Sequence, residues 1–409
     1  MKILYFHQHF STPKGATGIR SYAMAQALIQ NGHQVTMVCG SFGAGETGLS
    51  GNFEKGVRRG TVDGIEIIEF QLPYSNNLSF FKRFFVFFKF ALKSIKVAFT
   101  EQYDVLFATT TPLTAGIPGI FAKWLKHKPF VFEVRDLWPE LPKAMGVIKN
   151  PIILWMMSIL EWISYHSADR LIGLSPGIVE GIVKRGINPQ KVISIPNGCD
   201  LNIFERSNNL AWRPEQVLPK DFMAIFTGTH GIANGLDTLI DVAKELQSRN
   251  RPDIKLVLIG DGMKKRELQQ KAGESNLNNI IFHPPVNKSK LAGLMASADI
   301  GLQVLANVPA FYYGTSPNKF FDYIAAGLPV LNNYPGWLAE LITQKKCGFA
   351  IPPDNPQIFA DILEYAADHR NKLIEMGKNA QNLAHHQFNR KALAQQFVKW
   401  VSLYQVNSK

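Results

Sequence analysis

Short apolar runs alternate with helix-length amphipathic segments along most of this 409-residue chain. KILYFHQHF (2–10) is apolar and β-prone. A glycine-containing loop, STPKGATG, leads into IRSYAMAQALIQNG, whose apolar spacing and closing Gly32 predict a helix, and HQVTMVCG follows as a second strand. This is a βαβ unit. DGIEIIEF, YDVLFATT, PFVFEVRD, DRLIGLS and KVISIPNG are also short and bounded by polar, Gly or Pro residues, the pattern of buried parallel strands. IPNGCDLNIF (195–204) reads as an exit turn, because Asn197, Gly198 and Asp200 are turn formers. A second series follows residue 220: strand FMAIFTGTH, helix GLDTLIDVAKELQSR, strand IKLVLIGDG, a helix from Lys264, strand NIIFHPPV, helix SKLAGLMASA and strand DIGLQVL.

The pattern predicts an α/β fold with two Rossmann-like domains, in keeping with about 100–200 residues per domain. Ligands of such sheets bind at the carboxyl ends of the strands. The loops HFSTPKGATG, TTTPLTAG, EVRDLWPE, TGTHGIANG, GDG and HPPV are therefore expected to line one interdomain cleft.

Composition narrows the class. A hydrophobic content of 46% with 19% charged residues, and no repeat or low-complexity tract, excludes a disordered scaffold. Cys39, Cys199 and Cys347 lie far apart and form no zinc-like spacing. They read as packed thiols in a reduced compartment. The amino terminus reads as a strand and not as a cleavable leader, so the expected location is cytoplasmic. A net charge of +12 calls for an anionic partner: nucleic acid, a phosphate-bearing substrate or a lipid surface.

The segment SFFKRFFVFFKFALKSIKVAF (79–99) bears on that choice. On a helix, Lys82, Lys89, Lys93 and Lys96 fall in a narrow stripe with Arg83 to one side, Phe84 and Phe88 belong to a broad apolar face, and no acid is present. So many lysines disfavour a spanning helix, leaving a membrane-surface helix or a core helix with a basic solvent face. Phenylalanines interleaved with the cations disfavour a nucleic-acid surface. NPIILWMMSILEWISYHSADR (150–170) is a second apolar helix, expected in the core, with Trp155 and Trp162 near an interface as the alternative.

YYGTSPNKFFDYIAAGLPVL (312–331) carries the chemistry. Ser316 is a good N-cap and Pro317 suits the first helical position, which leaves the N–H groups of Asn318, Lys319 and Phe320 open to an anion. Asn318 and Asp322 share a face. The bland alternative is a capped, buried helix with a Lys319–Asp322 surface pair, and spacing alone leaves both open. His7 and His9 alternate on the first strand and make no natural metal pair; His230 follows Thr229 in a loop and is placed to touch sugar or phosphate; His385 and His386 read as surface or packing residues.

With these motifs in order, the chain resembles the GT-B-fold retaining glycosyltransferases of family 4, in which an E-x7-E segment precedes a small-x-Gly-x-Pro-Val ending. GATGIR, Gly32-His33, SPGIVE, IPNGCDLNIF, LIGDG, FHPPV and AAGLPV carry the resemblance over essentially the whole chain. Gly314 falls on the first acid position and Asp322 on the second. The resemblance implies two domains facing across a cleft: residues 1–200 with a returning C-terminal helix, 388–409, as the acceptor domain, and 201–387 as the nucleotide-sugar domain. It implies that Asp322 accepts the ribose hydroxyls. Ser316, Pro317, Asn318 and Lys319 would hold diphosphate or sugar oxygens, with Gly15 to Gly18 approaching from the first domain. Gly260, Asp261 and Pro285 would lie around the base.

Two departures stand out. Thr229 and Asn234 replace the usual pair of cations, so leaving-group charge falls to Lys319, Arg20, the helix dipole or backbone amides, with Lys319 preferred. Arg135 stands where a histidine is common, and with Asp136 it would orient the acceptor hydroxyl or anchor two loops, while Trp138 and Pro139 would shape the acceptor pocket. The motif is similar to that of N-acetyl-L-fucosamine transferases of O-antigen and capsule assembly. The resemblance implies a peripheral enzyme on the inner face of the cell membrane, a UDP-sugar donor, a polyprenyl-diphosphate-linked saccharide acceptor and no metal or other cofactor. A nucleotide-sugar 2-epimerase and a non-catalytic nucleotide-sugar or lipid-binding partner subunit are the rival readings.

Overall fold

A computed structural model describes residues 1–15, 17–43, 45–74, 78, 80–205 and 210–403. The chain divides into two compact units. One holds residues 1–196, 314–316 and the stretch from Lys391; the other holds 197–313 and 317–390.

The strands of the first unit are β1 (Lys2–Phe6), β2 (Gln34–Phe42), β3 (Val57–Val62), β4 (Ile65–Tyr74), β5 (Val105–Thr109), β6 (Phe130–Val134), β7 (Arg170–Gly173) and β8 (Val192–Ser194). They form one sheet in the order β3-β4-β2-β1-β5-β6-β7-β8. All neighbours are parallel except the β3–β4 hairpin. Strand β3, VRRGTV, escaped the sequence reading because edge strands with one polar face carry little apolar signal. Apolar side chains alternate to the two faces of the central strands: Leu4, Phe6 and Leu106 enter one core, Ile3, Tyr5 and Phe107 the other. Helix Arg390–Ser402 closes the second core, where Phe397 meets Phe107 edge-on at 5.0 Å between ring centroids.

The second unit has β9 (Phe222–Thr227), β10 (Ile254–Ile259), β11 (Ile280–His283), β12 (Ile300–Gln303), β13 (Val330–Asn332) and β14 (Gly348–Ala350). Their order is β11-β10-β9-β12-β13-β14, and every pairing is parallel. Both units are thus Rossmann-like α/β domains with largely parallel sheets.

Three sequence expectations need correction. Strand β1 stops at Phe6, so His7 and His9 lie in the following turn; on a continued strand, two residues apart, they would have shared one face. Helix Pro151–Ser167, capped by the Asn150 carboxamide accepting from Ile152 and Ile153 N–H, packs only one edge on the core, through Met157, Leu160 and Tyr165. It buries only Glu161, Ser164, Tyr165 and Ser167, and exposes Trp155 and Trp162. Helix Phe80–Thr100 is both of its alternatives at once: Phe90, Ala91, Val97 and Ala98 enter the core while Phe84, Phe85 and Phe88 stand exposed. Lys93 leaves the expected stripe, since its Nζ donates to the Gly56 carbonyl (3.2 Å) and sits over the Phe70 ring.

A close approach fixes helix Asn318–Ala325 on its sheet. A Cβ on Gly301 of β12 would lie 2.5–2.8 Å from the Tyr323 ring, whose hydroxyl accepts from the Thr227 N–H at 3.0 Å. Gly301→Ala is expected to overpack this contact and lower stability by about 1–3 kcal/mol, read from denaturant unfolding; an unchanged midpoint would show that the helix is free to shift.

Candidate functional site

Three loops and one helix start come together at the carboxyl ends of β9, β10 and β11 in the second unit. The loops after β9 and β10 pack backbone on backbone. His230 N–H donates to the Asp261 carbonyl (2.8 Å), and Lys264 N–H donates to the His230 carbonyl (2.9 Å). Gly260 (φ +150°) and Gly262 (φ +157°) make this possible, because a Cβ on either would run into the main chain of Gly228 or His230.

Lys319 reaches into this loop from the helix. Its Nζ donates to Asn234 Oδ1 at 2.8 Å and lies 4.1 Å from the centroid of the Phe226 ring. Asn234 Nδ2 in turn donates to the Thr229 carbonyl (2.7 Å). Asn234 therefore ties the helix's lysine to the loop after β9. Burial without a carboxylate partner lowers the lysine to about 7. The surface pair between Lys319 and Asp322 does not form. The helix also opens one residue later than expected, with Pro317 in the cap position, no side-chain cap and Asn318 as its first residue, so Ser316 is not the N-cap.

Asp322 faces charges from three further segments. It is 9% exposed, and burial raises its carboxyl to about 6, against the pull of Lys288 and Arg390 and with the push of Asp200. Asp200 receives Lys288 Nζ at 2.9 Å and Arg390 Nε at 2.5 Å. Burial pushes Asp200 up, but Arg390 and Lys288 together hold it below the ordinary carboxylate range. The sequence reading saw Asp200 only as a turn former; nothing local marks it as the anchor beneath Asp322.

His230 is enclosed. Its ring lies between Phe226 and Phe282, fully buried, and burial lowers it to about 4. In this arrangement it is a neutral packing residue and not a sugar or phosphate contact; among the described residues neither ring nitrogen has a partner. Thr229, Asp261, Pro285 and Asn318 are exposed, and Gly260 is buried.

The first unit carries its own polar cluster at the carboxyl ends of β5 and β6. Glu133 is fully buried there. Its Oε2 receives Arg20 Nη2 (2.8 Å) and Nε (3.0 Å), and its Oε1 receives Thr109 Oγ1 (2.8 Å) and Arg135 Nε (3.2 Å). Burial opposes ionisation, but the two guanidinium groups outweigh it and hold the carboxyl below its usual range. Arg135 also donates to Thr109 Oγ1 (2.7 Å) and Ser21 Oγ (2.8 Å).

This geometry corrects two assignments and adds a local reason for Gly15. The acid partner of Arg135 is Glu133, two residues earlier on the same strand, and not Asp136, which accepts from Thr111 Oγ1 (3.2 Å) and is raised by burial. Arg20 is 2% exposed and spends its remaining donors on the carbonyls of Ile195 and Pro196, so it holds the sheet end together and no diphosphate. Gly15 is required by its own loop: a Cβ there would collide with Ser11 Oγ and the Glu46 N–H. Gly18 lies exposed just before helix Arg20–Gln30, and Trp138 packs against the core. Glu133 was missed, although a lone acid inside the apolar run PFVFEV is the signal that a buried cation must meet it. A cavity of about 540 Å³ opens beyond β2 and β4, lined by Phe42, Glu46, Arg58, Glu69 and Tyr74 among others. Among the described residues no cluster of His, Cys, Asp and Glu is placed to hold a metal ion.

Two parallel-sheet domains, one with a lysine-bearing helix start set against a glycine-rich strand-end loop, define a two-domain protein of GT-B architecture. Sequence agrees half by half. Residues 18–203 match the family model Glycosyltransferase Family 4, and residues 209–383 match Glycosyl transferases group 1. The chain belongs to the group 1/family 4 glycosyltransferases. It is 28% identical over 225 residues to a D-inositol 3-phosphate glycosyltransferase of Paenarthrobacter aurescens (strain TC1), covering 52% of each chain. It is 24% identical over 204 residues to the putative colanic acid biosynthesis glycosyl transferase WcaI of Escherichia coli (strain K12), covering 48% of this chain and 49% of that one. The chain thus spans about half the length of these curated relatives. In fold it is similar to sucrose-phosphate synthase from Thermosynechococcus elongatus, with a TM-score of 0.78 at 17% identity and all of both chains covered. It is also similar to Anabaena HepE solved in complex with UDP and glucose, with a TM-score of 0.68 at 18% identity, covering 98% of this chain and 99% of that one.

Glu133→Gln leaves the buried Arg20 and half-buried Arg135 guanidinium groups facing a neutral amide and is expected to cost about 3–5 kcal/mol. Because the native carboxyl sits below its unfolded value, its contribution is present above the ordinary carboxylate range and is lost as pH falls through the lowered value. Urea unfolding at neutral and acid pH checks this: the variant's deficit should shrink on acidification, and a constant deficit would show that charge is not what Glu133 contributes.

Proposed function

We propose that this protein is a retaining glycosyltransferase that moves a sugar, N-acetyl-L-fucosamine as the candidate, from a UDP-sugar to a lipid-linked saccharide in cell-surface polysaccharide synthesis. It would work on the inner face of the cell membrane, without a catalytic metal. The observation that carries this reading is Lys319, a desolvated cation at a helix start, held among the described residues by Asn234 and an aromatic face. Such a cation is poised for an anion that arrives with the substrate. A leaving diphosphate would meet Lys319, the first N–H groups of helix Asn318–Ala325 and the amides of the glycine loop, so that negative charge building on the leaving oxygen is met by groups already in place.

Asp322, one helical turn on, would accept the ribose hydroxyls. Its anchoring near Lys288 and Arg390 supports ionisation once ligand hydroxyls satisfy it. UDP as the nucleotide is supported by HepE, which shares the fold and is solved with UDP and glucose. Gly314 ends the short helix Pro309–Gly314, and a Cβ on it would meet nothing within 4 Å. That space is assigned to the donor sugar. In the first unit Arg135 keeps one guanidinium nitrogen, Nη1, without a partner among the described residues, and with Asp136 it would orient the acceptor hydroxyl. The cavity beside Tyr74 and Phe42 would offer the acceptor sugars an aromatic wall. WcaI, a putative colanic acid biosynthesis enzyme, supports the polysaccharide setting.

Incubation with a panel of labelled UDP-sugars and a polyprenyl-diphosphate saccharide should give a lengthened lipid product from one donor. UDP binding with no transfer across the panel would favour a non-catalytic subunit, and isomerised free donor would favour an epimerase. Asp322→Ala is expected to weaken UDP binding about tenfold or more, because charge-assisted bonds to the hydroxyls are worth about 1.5–3 kcal/mol. Unaltered affinity with an intact fold would remove the ribose assignment.

The two shifted groups also set a pH dependence. Asp322 loses its charge below about 6 and Lys319 above about 7, so UDP affinity should fall off on both sides of that window. Asp322→Asn should flatten the acid limb and Lys319→Met the alkaline limb, and ionisation of UDP itself cancels in the comparison. Calorimetry in buffers of different ionisation enthalpy should show proton uptake on binding near pH 8 in wild type and none in Lys319→Met.

A further inference from the structure

Apart from Val147 and Leu403, the exposed large hydrophobic side chains described in the first unit all fall on three helices: Phe80–Thr100, Ile117–Lys126 and Pro151–Ser167. The second of these packs against both others. Hydrogen bonds fix the two joins. Lys126 Nζ donates to the carbonyls of Ala98 (3.2 Å) and Phe99 (3.1 Å), and Trp124 Nε1 donates to Ser167 Oγ (2.8 Å). The three helices therefore form one layer on one side of the sheet. Each turns an apolar stripe outward: Phe81, Phe85 and Phe88 on the first, Trp124 on the second, Trp155 and Trp162 on the third. Monomeric soluble proteins rarely leave so much contiguous apolar surface bare.

Charge selects what covers it. The only carboxylate within the three helices, Glu161, is 1% exposed and paired with Arg185 Nη2 at 2.7 Å. Lys82, Lys89 and Lys96 stand exposed at heptad spacing beside the phenylalanines. A second copy of the chain, docking the same face on itself, would bring two lysine-bearing helix layers together with no exposed carboxylate on their helices to answer the charge. Nucleic acid would leave the indoles and aliphatic side chains without a use. A bilayer with anionic headgroups accepts both halves of the pattern. No described helix is long and apolar enough to cross a membrane, so the arrangement suits lying on one.

We infer that this three-helix layer is a preformed docking face for an anionic lipid bilayer. Its helices lie in the interface, with Trp124, Trp155 and Trp162 at headgroup depth and the lysines on lipid phosphates. The tryptophans and the packing of three helices extend the surface well beyond the single segment 79–99. The inference goes with the proposed lipid-linked acceptor but stands on separate residues, none of them in the nucleotide-binding unit.

Co-sedimentation with vesicles of equal parts phosphatidylglycerol and phosphatidylcholine, against pure phosphatidylcholine, tests it. The protein should partition onto the anionic vesicles about tenfold more strongly, and less so at high salt. Phe81, Ile152 and Trp155 are 72%, 65% and 64% exposed, so Phe81→Ser/Ile152→Ser/Trp155→Ser should keep the fold. Its partition coefficient should drop about tenfold or more, with an unchanged circular-dichroism melt. Lys82→Gln/Lys89→Gln/Lys96→Gln should lose the preference for anionic lipid. No binding by wild type, or equal binding by the serine variant, would overturn the inference. So would a wild-type dimer in sedimentation velocity that the serine variant converts to monomer, which would assign the face to a second copy. UDP affinity measured on the same samples separates the two claims: vesicle binding without UDP binding sinks the donor assignment alone, and the reverse sinks the docking face alone.

Discussion

A charge taken out of water has to be answered by other charges or by hydrogen bonds, and the ends of both sheets are organised by that requirement. Glu133 lies inside a strand whose residues are all buried, and it is tolerated because Arg20 arrives from the first helix and Arg135 from the strand end. The first helix, and β5 through Thr109, are thereby tied to one carboxylate of β6. Asp200 does the same in the second unit, drawing in Lys288 and Arg390 beneath Asp322. Both acids stay ionised, and both settle the backbone that carries the candidate chemistry.

Lys319 is the contrasting case. It is desolvated without a carboxylate, and its neighbours are an amide oxygen and an aromatic ring. A structural lysine so placed is a cost to the folded state, since burial favours the neutral amine. Such an arrangement fits a site completed by an anionic ligand. Asn234, in the loop after β9, is the residue that receives the lysine the helix supplies.

Much of the fold was legible. Parallel strands buried on both faces produce short apolar runs that few other elements imitate, and helix-length spacers between them leave little choice of topology. What escaped was edge structure such as β3, whose polar face carries little apolar signal, and the ends of elements, where β1 stops before His7 and the helix opens after Pro317. In the site, the motif picked out Lys319 and Asp322, but their partners come from residues 234, 200, 288 and 390, which no local spacing connects.

By itself the sequence determined the alternation of strands and helices, the placement of a lysine and a carboxylate on a Pro-preceded helix, and a phenylalanine-rich segment without acids. Those follow from periodicity and from residue type. Tertiary structure decided which side of each residue is used. It turned Arg20 inward to Glu133, closed His230 between two rings, and gave helix Phe80–Thr100 a core face and a bare face together. It also set helix Pro151–Ser167 beside helix Ile117–Lys126, with its tryptophans outward, joining separate apolar stripes into one surface. The reason is physical: hydropathy is a property of a residue, whereas burial and charge pairing are properties of what the rest of the chain brings next to it.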